Sequence, residues 1–113
     1  MQGLELFFQF LVMHAVLDFM LQPSVMASGK NRSSKYHGTA DSGFPPWYYW
    51  LGAHALGHGG AVYLICGNLW LGLMETALHA LIDYGKSEEK MTLAQDQALH
   101  LFCKLGYCIY LVA

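Results

Sequence analysis

Four apolar stretches divide the chain, at residues 4–22, 47–66, 69–84 and 95–113. The first ends at Pro23, and the loop that follows, SGKNRSSKYHGTADSGFPP, is rich in the Gly, Ser and Pro that interrupt regular structure. Residues 47–84 then run WYYWLGAHALGHGGAVYLICGNLWLGLMETALHALIDY, with Glu75 the single formal charge before Asp83. Gly67-Asn68 is a turn-prone pair and splits that run into two helices. A second loop, GKSEEKMTLA, leads into the last stretch, where Thr92 with Gln95 three residues on has the spacing of a capping box.

A membrane-spanning helix needs about 20 apolar residues, with a range of roughly 17 to 25, and the four stretches fall around the lower part of that range. Helices of a soluble bundle would each carry a broad charged face. Residues 47–66 contain no Lys, Arg, Asp or Glu. The pattern predicts an all-α fold, one integral membrane domain over residues 1–113 built as a four-helix transmembrane bundle.

Composition agrees. Charged residues make up 12% and hydrophobic residues 55%, against about 25% charged in ordinary soluble domains. Mean hydropathy is only +0.30, because six histidines and the polar loop lower it. The net charge of −2 leaves no basic footprint for nucleic acid. Cys66, Cys103 and Cys108 lie among apolar residues without CxxC spacing, so they are expected as free thiols. The first stretch lacks a positive leader, and His14 and Asp18 interrupt it, so it is expected to be retained rather than cleaved. Lys30, Arg32 and Lys35 in the first loop, with Lys86 and Lys90 in the second, place both long loops in the cytoplasm by the positive-inside tendency. Trp47, Tyr48, Tyr49 and Trp50 suit an interfacial belt.

Polar spacing now changes the picture. The helices contain ten His, Asp or Glu residues, and nine have a partner four positions away: His14 with Asp18, His54 with His58, Glu75 with His79 and Asp83, Asp96 with His100. Four residues advance a helix by about 400°, so each pair shares one edge, a turn apart. Each pair also falls in the half of its helix nearest the two long loops. An inward-facing His/carboxylate cluster follows. Ionisable groups within a bilayer are costly and serve function by default, and a divalent metal offsets that cost.

Imidazole and carboxylate are ligands for zinc first, with iron or manganese as alternatives. The expected ligands are His14, Asp18, His54, His58, Glu75, His79, Asp83, Asp96 and His100, a set large enough for two ions about 3.5–4 Å apart. Some of the acids are expected to orient a ligating His instead of touching the ion. Each pair taken alone is equally well explained as hydrogen bonding in a helical core; all four together point to metal or proton chemistry. His37 reads as a surface histidine and Lys104 as structural, snorkelling or meeting Glu5, with binding of an anionic substrate as the alternative. Gly57, Gly59 and Gly60 read as allowing close helix packing.

The ordered motifs His14-x-x-x-Asp18-Phe19-x-Leu21-Gln22-Pro23, Met26, Lys30, His54-x-x-x-His58-Gly59, Glu75-x-x-x-His79-x-x-x-Asp83-x-x-Lys86 and Asp96-Gln97-x-x-His100 resemble a family of small bacterial and phage integral membrane proteins of unknown function. They are distantly similar to the YdjM-like membrane-bound proteins predicted to be metal-dependent hydrolases. The resemblance covers nearly the whole chain, with a longer insertion around residues 36–47, and implies the bacterial inner membrane.

The expected function is a membrane-embedded metal-dependent hydrolase acting on a phosphoester or lipid-like substrate at the cytoplasmic leaflet. Glu75 would be its general base or a bridging ligand, and Lys86, Lys30 and Arg32 would attract a phosphate at the mouth. Partners are the bilayer, the lipid or phosphoester substrate and a second copy of the chain; nucleic acid is not expected. A metal-ion or proton relay, a haem protein and a non-catalytic phage membrane protein are the alternatives. A relay needs a polar path across the whole bilayer, and the half around Val62–Leu73 and Leu105–Ala113 offers little beyond Asn68, Lys104 and Glu5.

Overall fold

Helical periodicity becomes helix in four places. The computed structural model describes residues 2–22, 30 and 45–113, so Arg32, Lys35 and His37 lie outside the described residues. Helix α1 covers Gln2–Ala15 and continues through a π-helical turn, Val16–Met20; α2 covers Trp47–Cys66, α3 Leu69–Ser87 and α4 Leu93–Val112. Among the described residues there is no strand.

The ends follow local chemistry. Gly67 closes α2 at φ 69°, a left-handed position that glycine adopts without a Cβ penalty, and its N–H donates to the Tyr63 carbonyl at 2.7 Å. Asn68 caps α3 by accepting from Leu71 N at 3.1 Å. Thr92 and Gln95 form the reciprocal capping box of α4. Helix α3 runs three residues past Tyr84, and Glu89, at φ 60°, turns the chain toward α4.

Each helix packs on its sequence neighbours, and α1 also packs on α4, which closes a four-membered ring around one axis. The Gly67-Asn68 turn lies at one end, and the Ser87–Leu93 connection at the other. The closest crossing is between α2 and α3. A Cβ at Gly59 would fall 2.5 Å from the Gly72 carbonyl oxygen and onto the Thr76 hydroxyl, whereas Gly57 and Gly60 face open space. Of the three glycines around His58, only Gly59 serves close packing.

Polarity is inverted across the bundle. Ten polar or charged side chains are buried, against eight apolar ones, among the described residues. The apolar core proper is small: Phe10, Val62, Leu71, Tyr107 and Cys108 at the Gly67 end. Leu64, Trp70, Phe102 and Tyr110 are among the large apolar side chains left exposed.

Four spans were expected, yet among the described residues one helix, Gln2–Met20, is long and apolar enough to cross a membrane by length and composition. Average hydropathy sums both faces of a helix, and the ionisable residues of the other three lower theirs even though those residues turn inward.

Candidate metal centre

The π-helical turn is where the site begins. Leu21 N donates to Val16 O at 2.8 Å, a bond across five residues, so the turn is widened by one residue around Asp18. Asp18 thereby reaches three helices at once. Its Oδ1 lies 3.0 Å from His54 Nε2, 2.9 Å from His58 Nε2 and 3.7 Å from His79 Nε2. Its Oδ2 lies 3.3 Å from His14 Nε2 and accepts from Gln97 Nε2 at 3.1 Å.

Asp83, from α3, is the second hub. Its Oδ1 is 3.2 Å from His100 Nε2, and its Oδ2 is 3.4 Å from His79 Nε2 and 3.5 Å from His54 Nε2. Lys30 Nζ donates to that Oδ2 at 2.7 Å. Asp96 Oδ1 stands 3.5 Å from His100 Nε2, and Asp96 Oδ2 accepts from Gln97 Nε2 at 3.0 Å.

The imidazoles pack on one another. His79 is stacked between His58, at a centroid distance of 3.6 Å, and His100, at 4.1 Å. His79 is wholly buried and His58 and His100 nearly so.

Glu75 sits deeper, on the side of the apolar core. Its Oε1 lies 3.3 Å from His79 Nδ1 and accepts from Lys104 Nζ, while its Oε2 accepts from the Tyr107 hydroxyl at 2.7 Å. This carboxylate contacts His79 and neutralises Lys104. Lys104 meets Glu75 instead of Glu5, which is exposed on the first turn of α1. An ammonium with 2% exposure requires a buried acid beside it, and Glu75 is the one within reach.

Eight of the nine expected ligands fall into three groups whose ligating atoms lie within 4.8 Å of one another: Asp18, His54, His58 and His79; Glu75, His79 and His100; Asp83, Asp96 and His100. These buried groups can hold a metal ion. His14 stands outside them, its Nε2 2.9 Å from Gln97 Oε1.

The fit to a cation shows in the unpartnered atoms. His58 Nε2, His79 Nε2 and Asp96 Oδ1 are buried without a hydrogen bond among the described residues. The His58 nitrogen is close to Asp18 but out of hydrogen-bond alignment. Buried polar atoms normally find partners, and a cation held between these nitrogens and oxygens would supply one.

A cavity of about 260 Å³ opens above the cluster. Asp18, Asp83 and Asp96 line its floor, and Lys30 and Lys86 its walls. Arg32, the third cation expected at the mouth, lies outside the described residues.

Two contributors escaped the spacing argument. Gln97, which links Asp18, Asp96 and His14, is one residue off the four-residue series, although it stands in the Asp96-Gln97-x-x-His100 motif. Tyr107 is three residues past Lys104 in an apolar stretch, where an aromatic reads as packing. Comparison with protein-family models, curated proteins and solved structures finds no match for this chain, and no family is identified by them.

Proposed function

We propose that the chain is a membrane-embedded, metal-dependent hydrolase that cleaves a phosphoester of a lipid or lipid-like substrate. One observation carries the reading: histidines and aspartates from all four helices converge on one buried point, with unpartnered ligating atoms, under a cavity walled by lysines.

The membrane setting is supported by the inverted polarity. Monomeric soluble proteins rarely expose contiguous apolar patches beyond a few hundred Å², and here the exposed side chains between the ends of α2, α3 and α4 are apolar, while α1 also exposes Glu5 and Gln9. Exposed aromatics stand at both ends, Tyr48 and Tyr49 at one and Trp70 and Tyr110 at the other, as interfacial belts do. Twenty residues of α2 give about 30 Å of helix, the thickness of a bilayer's hydrocarbon.

A divalent ion held by Asp18, His54, His58, His79, Asp83, Asp96 and His100 would supply Lewis acidity toward a phosphoryl oxygen and a water of lowered pKa. The chain's own groups do the rest. Lys86 and Lys30 line the cavity and bind the phosphate charge there. Glu75 holds the His79 ring with Nε2 toward the site, and Gln97 fixes Asp18 and Asp96.

The alternatives fare less well. A relay needs a polar path through the bundle, but the column Glu75–Lys104–Tyr107 ends against Phe10, Val62, Leu71 and Cys108. A haem needs a flat slot between its axial ligands, and imidazoles 3.6 and 4.1 Å apart leave none.

Protein purified in detergent is expected to contain zinc, iron or manganese by elemental analysis. It should release phosphate from a lipid phosphomonoester in a chelator-sensitive manner, and His58→Ala and His79→Ala should lose both metal and turnover. Metal retention with no turnover on any phosphoester would replace the hydrolase by a metal-binding role.

A further inference from the structure

The three ligand groups are not equivalent. In the set Glu75, His79 and His100, the Glu75 Oε1 atom already accepts the Lys104 ammonium, and a metal ion there would meet that charge directly. The other two sets share no residue. Each contains its own unpartnered buried atoms: His58 Nε2 and His79 Nε2 in one, Asp96 Oδ1 in the other.

Asp83 joins them. Its Oδ2 faces His54 and His79 of the first set, and its Oδ1 faces His100 of the second. A carboxylate whose two oxygens look at two ligand sets is placed to bridge two ions at the separation of about 3.5–4 Å used in dinuclear centres. Lys30 Nζ donates to Oδ2 at 2.7 Å and must yield that oxygen to an ion; with 12% of its side chain exposed against 2% for Lys104, it is the lysine nearer to solvent.

The donor chemistry differs between the sets. Three imidazoles and one carboxylate, with Asp83 Oδ2 as the shared donor, fill a shell suited to zinc, which accepts five donors as well as four. Two carboxylates and one imidazole are a harder and incomplete set, suited to manganese or magnesium with positions left over. Asp83 and Asp96, two of the three donors of the incomplete set, line the cavity; of the four donors of the other set only Asp18 does, and none of the histidines of either set. The incomplete set is therefore the more open to solvent and substrate oxygens.

The geometry points to two unequal cation sites: a closed zinc site on Asp18, His54, His58 and His79, and an open, exchangeable site for a harder divalent ion on Asp83, Asp96 and His100. This deepens the proposed function and rests on it for the role of the open site, but the ion count is independent of turnover.

The test uses the full chain in detergent, stripped with chelator and titrated with Zn²⁺ and then Mn²⁺. One equivalent of zinc should survive exhaustive dialysis, and one of manganese should bind at least about tenfold more weakly, seen by electron paramagnetic resonance. Asp96→Asn should abolish the manganese signal and keep the zinc; His58→Ala should lose the retained zinc. The two separable steps in the unmodified protein decide the matter even where a variant does not fold. A total of one equivalent, with lipid-phosphate turnover intact, overturns the two-site inference and leaves the hydrolase. Loss of both ions together in folded Asp96→Asn also overturns it. No bound metal at all overturns both.

Discussion

Glu75 Oε1 lies 3.3 Å from His79 Nδ1 and receives the Lys104 ammonium, so one buried acid from α3 joins the imidazole cluster to a cation on α4. The arrangement fixes which nitrogen of His79 is free for the site. It also means that Glu75 and Lys104 stand or fall together.

Removing either charge alone leaves the other buried and uncompensated. Lys104→Met is expected to destabilise the protein by about 3–5 kcal/mol, whereas the double variant Lys104→Met with Glu75→Gln should regain most of that loss. Thermal unfolding in detergent, followed by circular dichroism, measures both. A double variant as unstable as the single one would count against the pair.

Orientation of His79 should be visible in metal affinity. Glu75→Gln keeps the side chain's shape but loses its charge, and partners of this kind are worth about 10- to 100-fold in affinity. Competition with a chromophoric chelator reads the change. An affinity equal to that of the unmodified protein would remove the orienting role.

Chelation should cost stability as well as activity. An ion free at a hundred times its dissociation constant stabilises the folded state by about 2.7 kcal/mol. The melting temperature should fall when metal is stripped and return when it is restored. His79→Ala should show neither response.

The α2–α3 crossing discriminates sharply among neighbouring glycines. Gly59→Ala drives a methyl into Thr76 and the Gly72 carbonyl, an overpacking worth about 1–3 kcal/mol. Gly57→Ala meets nothing within 4 Å and should gain up to about 1 kcal/mol of helix propensity. Equal effects at the two positions would contradict the crossing.

Cavity lysines should act on binding. Lys86→Ala is expected to raise KM for a phosphoester with little change in kcat, because Lys86 lines the wall while the acids form the floor. A fall in kcat alone would place Lys86 in the chemistry instead.

Local signals carried the helical plan. Gly67-Asn68 marks the turn because a left-handed residue and a side-chain cap are both short-range effects, and Thr92 with Gln95 marks the start of α4 for the same reason. The four-residue spacing of His and acid pairs likewise belongs to single helices, so the sequence alone determined that each helix carries one polar edge.

What lies between helices was decided only by the tertiary structure. The widened turn at Val16–Met20 re-aims Asp18, and no spacing rule announces it. Lys104 reaches Glu75 instead of Glu5, Gln97 enters the cluster from between the periodic positions, and His14 ends on Gln97 outside the ligand groups. The reason is physical. Spacing along a helix sets the direction of a side chain around its own axis, whereas which groups meet depends on the depth and closeness of the facing helix. Those are set by long-range packing, such as the approach of Gly59 to Gly72.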